Sequence, residues 1–232
     1  MKIQQGDVLS YHEMCQTERT ALQRGMNFRP AGRRSVILMS RRRDAPYADR
    51  IEDGGRVLIY EGHDQPARKG GPDPKTVDQP DRTPQGRSTQ NGQFVRAAKL
   101  HRERGVHAEL VWVYEKLEPG IWTFNGVFRL VDGWKELSGQ RRVFKFRLEL
   151  LEDTDADARN APQDLVHNRL IPSEVKLAVW KRDNGRCVLC GRTDNLHFDH
   201  VVPFSRGGSS LVAENIQLLC ARHNLAKSDR IE

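Results

Sequence analysis

The chain has 232 residues, of which 38 are lysine or arginine and 31 are acidic, giving a formal net charge of +7 at pH 7. A mean hydropathy of −0.70 and a hydrophobic fraction of 37% exclude an integral membrane protein, because no apolar run approaches the roughly 20 residues that span a bilayer. The first residues, MKIQQGDVLSYHE, lack the apolar core of a signal peptide. We therefore expect a cytoplasmic protein.

Short runs typical of β-strands, bounded by turn residues, follow one another through the first 150 residues. They are Arg34–Ser40, Gly55–Asp64, Ala108–Lys116 and Arg142–Glu152. In the last run apolar and polar residues alternate, which predicts a buried face formed by Phe144, Phe146, Leu148 and Leu150. Sequential strands with one apolar face predict a curled sheet or barrel. One helix is predicted near Gly92–Arg104.

The segment Gly120–Glu136 contains Asn125-Gly126, a dipeptide favoured in two-residue hairpin turns. This segment is therefore predicted to form two strands that meet at the dipeptide.

Two polar segments divide the chain. Residues Gly62–Asn91 are rich in Pro, Gly and charge, which predicts a long surface loop. Residues Glu152–Arg169 are acidic and almost without apolar side chains, which is typical of a linker. We expect an α+β protein with a first domain at residues 1–152, a linker at 153–170 and a second domain at 171–232.

The second domain is predicted to begin with a helix after Pro172, with Ser173 as its N-cap. Asp183-Asn184-Gly185 would end this helix. The residues predicted on its buried side are Val175, Ala178 and Val179.

A basic stretch runs from Arg24 to Arg43, with seven arginines and no acidic residue. Arginine is suited to bidentate contacts with phosphate. The stretch is also compatible with an ordinary solvated basic face, so composition alone leaves both interpretations open.

Three of the four cysteines lie close to one another in two short motifs. Cys187-Val-Leu-Cys190 is followed by Cys220-Ala-Arg-His223, and two ligand pairs with two-residue spacers fit tetrahedral zinc. A closed set of four ligands predicts a structural zinc ion. In an alternative arrangement zinc is absent and His223 binds a catalytic metal instead. Cys15 stands apart and is predicted to be an ordinary thiol.

Residues Ile171 to Arg230 resemble the HNH endonucleases, also called ββα-metal nucleases. The resemblance rests on RDNGRCVLCG, LHFDHVVPFSRGG, AENIQLLC and HNLAKSD. It implies that Asp199 and Asn224 bind the catalytic divalent cation, Mg²⁺ or Mn²⁺, and that His200 is the general base. Asn215 would hold the loop that carries the histidine. Lys227 and Arg230 would contact phosphate or lie on a solvated helix face.

These implied roles suit phosphodiester hydrolysis. A hard cation held by few protein oxygens keeps positions open for phosphate and water. A neutral histidine near its ordinary pKa accepts a proton at physiological pH. Adjacent strand residues point to opposite faces, so Asp199 and His200 can address the cation and the water from different directions.

Residues 5 to 152 resemble the SRA (SET and RING associated) domain, a reader of 5-methylcytosine. The motifs that carry the resemblance include YEGHD, YEK, FNGVFRLVD and FRLEL, in the order of the family. The resemblance implies that a modified cytosine is flipped between the rings of Tyr47 and Tyr60 and read by Asp49. Residues of the 62–91 loop would fill the space of the flipped base, with Arg82, Arg87 and Gln90 as candidates.

Together the two resemblances imply a modification-dependent DNA endonuclease, similar to a bacterial type IV restriction enzyme. It would recognise 5-methylcytosine, or 5-hydroxymethylcytosine, in double-stranded DNA and cut nearby at a loosely defined distance. One HNH site cuts one strand, so we expect a homodimer. One alternative is a modified-DNA binding module with an inactive HNH domain. Another is a nonspecific nicking nuclease.

Overall fold

The computed structural model describes residues 3–22, 25–42, 45–151, 170–203 and 206–227. Within these ranges the chain forms a large sheet with two helices, followed by a small unit of two strands and two helices. The α+β class and the large sheet predicted from the sequence are confirmed. In the described part of the chain, no helix is long and apolar enough to cross a membrane.

The large sheet contains eight strands in the order β2-β3-β6-β7-β8-β5-β4, with β1 paired to the start of β7. Neighbours are antiparallel except for β3 and β6, which are parallel. In the described residues the path is open, with β2 and β4 at its two ends. The strands are β1 Val8–Ser10, β2 Met26–Asn27, β3 Ser35–Met39, β4 Arg50–Glu52, β5 Val57–Glu61, β6 Glu109–Glu118, β7 Ile121–Ser138 and β8 Arg141–Leu150.

The predicted hairpin at Asn125-Gly126 is wrong, because β7 continues without a break through both residues. Gly126 has a φ of +110° and lies at a β-bulge, opposite an irregularity between Val113 and Tyr114. The side chain of Asn125 is buried and donates to Glu115 Oε2 at 3.0 Å. A buried partner thus keeps Asn125 inside the sheet, and the chain turns at Pro119-Gly120 instead.

Two helices accompany the large sheet. Helix α1, Tyr11–Glu18, begins with a capping box formed by Ser10 and Glu13. Helix α2, Gln90–Arg104, confirms the predicted helix; Thr89 caps its first turn and Gly105 ends it in the left-handed conformation. The predicted apolar face of β8 is also confirmed, since its four residues are buried with the α2 side chains of the main core: Phe94, Ala98, Phe144, Phe146, Leu148 and Leu150.

The C-terminal unit contains α3 Ser173–Arg182, β9 Leu196–His200, β10 Ile216–Cys220 and α4 Ala221–Lys227. Strands β9 and β10 pair antiparallel. Ser173 is not the N-cap of α3: Pro172 holds that position without a side-chain bond, and Ser173 is buried. Ala178 is exposed, so the buried side of α3 consists of Val175, Lys176 and Val179.

Residues 62–91 form the predicted connection without a regular strand, and buried polar contacts hold part of it. Gln79 is 1% exposed; its amide donates to Gly62 O at 2.6 Å and accepts from Phe144 N at 2.8 Å. Of the predicted linker at 153–170, only Leu170 belongs to the described residues, and it packs in the core of the large sheet. The domain boundaries otherwise remain a prediction.

Candidate functional site

The hairpin of β9 and β10 presents Asp199 and His200 at the end of β9. His200 lies opposite Ile216, and Asp199 lies opposite Gln217. The two side chains point to opposite faces of the hairpin, as the alternation of a strand requires. This arrangement leaves each side chain a separate set of partners.

His200 is half-buried, and its Nε2 lies 2.8 Å from the hydroxyl oxygen of Ser210. Burial lowers the pKa of His200 below its ordinary value, with the carboxylate of Asp199 acting in the opposite direction. The imidazole is therefore mainly neutral at pH 7, the form that accepts a proton.

Asn215 ties the loop after His200 back to β10. Its Oδ1 accepts from Val202 N at 2.8 Å, and its Nδ2 donates to Val202 O at 3.1 Å and to Ser209 O at 2.9 Å. Gly208 completes the contact, because a Cβ at this residue would lie 1.8 Å from Val202 O and 2.8 Å from Asn215 Nδ2. Position 208 therefore needs a glycine to leave room for the Asn215 amide and the Val202 carbonyl.

Lys227, in the last turn of α4, is not on a solvated face. Its side chain is 1% exposed and pairs with Asp199 Oδ2, and its ammonium also donates to the carbonyl of His200. Asn224 lies three residues earlier, on the same face of α4. Helix α4 therefore turns Lys227 toward the end of β9. Arg230 lies outside the described residues.

Beside this hairpin, Cys187, Cys190, Cys220 and His223 form a cluster whose four ligand atoms all lie within 4.8 Å of one another. The sulfurs of Cys190 and Cys220 are 3.8 Å apart. His223 Nδ1 is 3.3 Å from Cys187 Sγ and 3.4 Å from Cys220 Sγ. The cluster could hold a metal ion, as the sequence predicted.

The dimensions of this cluster fit zinc. A tetrahedral site with the usual Zn–S and Zn–N bonds separates two sulfurs by about 3.8 Å and a sulfur from a nitrogen by about 3.6 Å. Burial acts to raise the pKa of Cys187, but hydrogen bonds from the backbone at Cys220 and from the His223 side chain outweigh it and lower the pKa to about 6. The thiolate that a metal requires is therefore favoured at this position.

A second group of predicted residues lines a cavity of about 790 Å³ beside the large sheet. Its walls include Tyr47, Asp49 and Tyr60, together with His63 and Met39. Asp49 and Tyr47 also line an adjoining cavity of about 540 Å³. The three residues implied for the base pocket thus line one cavity. Their positions in the sequence are far from the nuclease motif.

Asp49 accepts hydrogen bonds from two backbone N–H groups at the wall of the cavity. Glu61 N donates to Oδ1 at 3.1 Å, and Ser40 N donates to Oδ2 at 3.3 Å. Burial of the carboxyl group raises the pKa of Asp49 to about 7, although these two hydrogen bonds oppose the change. Both protonation states of Asp49 are consequently accessible near neutral pH.

The two tyrosines do not face each other across the cavity. Tyr60 is 1% exposed and packs in the main core, and burial raises the pKa of its hydroxyl. The ring parallel to Tyr47 is that of His63, with centroids 5.1 Å apart and an interplanar angle of 9°. His63 Nε2 lies 3.0 Å from the Tyr60 hydroxyl. In the described structure the Tyr47 ring therefore stacks on His63 rather than facing Tyr60, and the Tyr60 hydroxyl contacts the same imidazole.

His63 was not among the residues predicted for the pocket. Its backbone is fixed on both sides by the buried side chain of Asn91, which accepts from His63 N at 2.9 Å and donates to His63 O at 2.8 Å. The only available signal was its place in the YEGHD motif, three residues after Tyr60.

Some arginines of the basic stretch 24–43 form ion pairs with acidic side chains. Arg29 pairs with Glu109. Arg34 pairs with Glu18 at 2.6 Å, and its guanidinium carbon lies 4.7 Å from the centre of the Trp112 ring. Arg24 and Arg43 lie outside the described residues.

Two of the candidates for filling the space of the flipped base make hydrogen bonds within the chain. Gln90 begins α2 and accepts from Phe28 N at 2.6 Å, whereas Arg82 donates to Gly86 O at 2.9 Å.

Residues 187–230 match the model of the HNH endonuclease family. This match confirms the resemblance found in the C-terminal motifs, so the chain carries an HNH domain at its C-terminal end. No curated protein matches the chain.

Several solved structures are similar to this one. The SUVH5 SRA domain in complex with hemimethylated CG DNA gives a TM-score of 0.45 and 21% identity, covering 65% of this chain and 90% of that chain. The same domain bound to fully hydroxymethylated CG DNA gives a TM-score of 0.42 and 20% identity, covering 64% and 89%. SUVH9 gives a TM-score of 0.40 and 17% identity, covering 78% of this chain and 32% of that chain.

Proposed function

We propose that this protein is a modification-dependent DNA endonuclease. The first unit would bind double-stranded DNA that contains 5-methylcytosine or 5-hydroxymethylcytosine, and the HNH domain would hydrolyse a phosphodiester bond nearby. This is the activity of a bacterial type IV restriction enzyme. The observation that carries the proposal is the arrangement of Asp199, His200 and Asn215 within an HNH domain, in the same chain as the cavity lined by Tyr47 and Asp49.

The cavity would receive the modified cytosine after it leaves the duplex. Stacking of a base on an aromatic ring contributes about 1–3 kcal/mol, which offsets part of the few kcal/mol needed to unstack it. Tyr47 would offer such a ring in place of its present contacts with His63 and the Lys75 ammonium, and Tyr60 and His63 line the same cavity. Asp49 would accept a hydrogen bond from the amino group of the base.

In the HNH domain, the side chains of Asp199 and Asn224 would hold Mg²⁺ or Mn²⁺, which supplies charge neutralisation for the phosphate. Carboxylate and amide oxygens suit such a hard cation, and Asp199 already pairs with the ammonium of Lys227. His200, neutral at pH 7, would take the proton of the attacking water. Asn215 would keep the loop that follows His200 closed, so that the imidazole stays oriented.

The four residues Cys187, Cys190, Cys220 and His223 would hold a structural zinc ion. They join the turn after α3 to the beginning of α4, and α4 carries Asn224. The zinc ligands would therefore fix the helix that completes the nuclease site.

The proposal is tested with one DNA sequence prepared in three forms: unmodified, methylated and hydroxymethylated. Each form is incubated with the protein and Mg²⁺ or Mn²⁺. We expect cutting of at least one modified form and little cutting of the unmodified form. Equal cutting of all three would contradict modification dependence. Selective binding of modified DNA without any cutting would favour a binding module with an inactive HNH domain.

A His200→Ala variant separates binding from chemistry. It should bind modified DNA as the unchanged protein does and lose cleavage by about 10²-fold or more, since general-base catalysis contributes about that much. Cleavage that survives this substitution would exclude His200 as the base.

A further inference from the structure

We infer that the C-terminal unit with the HNH site, here called the nuclease unit, is docked in one fixed position on the unit of the large sheet, here called the base-binding unit. Lys176 and its partners then set the distance from the modified base to the cut. This inference rests on the proposed function and replaces the loose cut distance expected from the sequence. Lys176 acts here as a positioning residue that lies outside both sites. Three independent sets of contacts between the two units support the docked position.

The first set is a buried polar cluster between α3 and the large sheet. The Lys176 ammonium pairs with Glu115 Oε2 and donates to Asn125 Oδ1 at 2.7 Å. All three side chains are almost completely buried. Burial acts to raise the pKa of Glu115, but the charge of Lys176 together with the hydrogen bonds to the carboxylate lowers the pKa. Burial also lowers the pKa of Lys176, against the charge of Glu115; the direct contact of the two groups favours the ionised pair. An ion pair in this setting requires close geometry, because either charge alone would be uncompensated.

The second set is apolar and continuous across the two units. Leu117 at the end of β6 is buried in the same cluster as Ile171 and Val175. Val8 and Ile121, also from the first unit, pack against this cluster. The core of the nuclease unit therefore includes side chains of the base-binding unit.

The third set joins the first unit directly to β9, the strand that carries Asp199 and His200. Phe198 N donates to Gly6 O at 3.0 Å, and His197 Nδ1 lies 2.9 Å from Asp7 Oδ1. A Cβ at Gly6 would lie 3.0 Å from Phe198 O, so the two backbones approach closely. The strand of the nuclease site is thereby bonded to the first unit.

The hairpin of β6 and β7 connects the two sites. Along these strands, alternate residues point to opposite faces. Glu115, Leu117 and Ile121 contact the nuclease unit, whereas Lys116 and Trp122 line the cavity of about 790 Å³. One hairpin thus forms a wall of the base cavity and the platform for the nuclease, which fixes the distance between them.

Mapping of the cut ends tests this inference. The substrate is a duplex with one modified cytosine at a known position, and the ends are sequenced after partial digestion by the full chain. We expect the cuts in each strand to cluster within about one helical turn, ~10 base pairs. Cuts scattered evenly over several turns would overturn the inference.

Matched substitutions identify the residue responsible. Lys176→Met leaves Glu115 uncompensated and should broaden the distribution of cuts several-fold. Lys176→Met combined with Glu115→Gln removes both charges and should restore a narrow distribution. Lys181→Met changes an exposed lysine of the same helix and should leave the distribution unchanged. Identical distributions for all four proteins would exclude a positioning role for Lys176.

A second measurement does not depend on cleavage of DNA. A protease site inserted between residues 152 and 169 allows the purified full chain to be cut into its two halves. We expect the halves to co-elute in gel filtration at micromolar concentration, and those carrying Lys176→Met to dissociate at least tenfold more readily. Separation of the unchanged halves would contradict docking even if DNA is cut. Co-elution without any cutting would retain docking and contradict only the proposed function.

Discussion

At the scale of single residues, the proton on Asp49 decides which hydrogen bonds it can make. A neutral carboxylic acid offers one O–H donor and one acceptor, which complement the N3 acceptor and N4 amino donor of cytosine. An ionised carboxylate offers acceptors only, and one of them would face N3. A pKa raised to about 7 by burial therefore makes the neutral acid, which would match the edge of the base, accessible near neutral pH.

We predict that affinity for modified DNA decreases as the pH rises from about 6 to about 8, where Asp49 ionises. An Asp49→Asn variant cannot ionise and should therefore lose this pH dependence, although its amide oxygen can replace only one of the two carboxylate oxygens that accept from Glu61 N and Ser40 N. Fluorescence anisotropy with modified and unmodified duplexes measures both effects. The same slope in the two proteins would show that another group titrates.

The raised pKa also has a consequence for stability. The folded chain keeps a proton on Asp49 that the unfolded chain releases above its own pKa of about 4. The stabilisation is therefore fully present below about pH 4 and is lost as the pH rises through about 7. The Tm of the unchanged protein should carry this decrease between about pH 4 and about pH 7, and the Tm of the Asp49→Asn variant should lack it.

At the scale of elements, the short helix α4 depends on the cysteine and histidine cluster at its start. Cys220 ends β10 and His223 lies in the first turn of α4, and both meet Cys187 and Cys190 from the turn after α3. Structural zinc contributes on the order of 10 kcal/mol to the folding of small domains.

We predict one zinc ion per chain and loss of the folded C-terminal unit when it is removed. Elemental analysis gives the metal content, and chelation should abolish the protected amides of β9 and β10 in hydrogen exchange. Cys187→Ser should have the same effect, whereas Cys15→Ser, at a cysteine outside the cluster, should not. A chain that contains no zinc yet keeps these strands protected would favour the arrangement in which His223 binds the catalytic metal.

Elements that depend on local pattern could be predicted from the sequence, and those that depend on distant partners could not. The alternation of β8 and the helix near Gly92 follow from local periodicity. Asn125-Gly126 was predicted as a turn because the sequence does not show that Lys176 and Glu115 will surround the asparagine. The parallel rings of Tyr47 and His63 likewise depend on Asn91, which lies 28 residues after His63.

The candidate sites follow the same division. The zinc ligands are recognisable because their spacing is itself the signal, whereas the roles of Asp199 and His200 come from the resemblance to HNH endonucleases. The pairing of Lys227 with Asp199 was not foreseen, because a lysine near the end of a helix is usually solvated. Its burial results from the packing of α4 against β9, which no local pattern encodes.

At the scale of the whole molecule, the proposed function would bring a chain with one HNH site to DNA that has two strands. If each site cuts one strand, a double-strand break requires two protomers or two binding events. The proposed homodimer would bring both sites to the same DNA.

We predict that an excess of His200→Ala protein converts double-strand cutting by the active protein into nicking. Mixed dimers would carry one active site, and a supercoiled plasmid would accumulate as the open circle in gel electrophoresis. A mixture that gives double-strand breaks in proportion to the active protein would show that a single protomer makes both cuts.

The buried pair of Lys176 and Glu115 also bears on how such a protein could evolve. Removing one partner of a buried ion pair costs about 3–5 kcal/mol, and a base-binding unit without its nuclease would expose Leu117, Ile121 and Val8 as well. Exchange of the nuclease by recombination would therefore produce a poorly soluble protein unless the incoming domain carried a matching lysine and apolar helix. The two halves of this chain are constrained to change together, which makes the surface of β6 and β7 a barrier to domain shuffling.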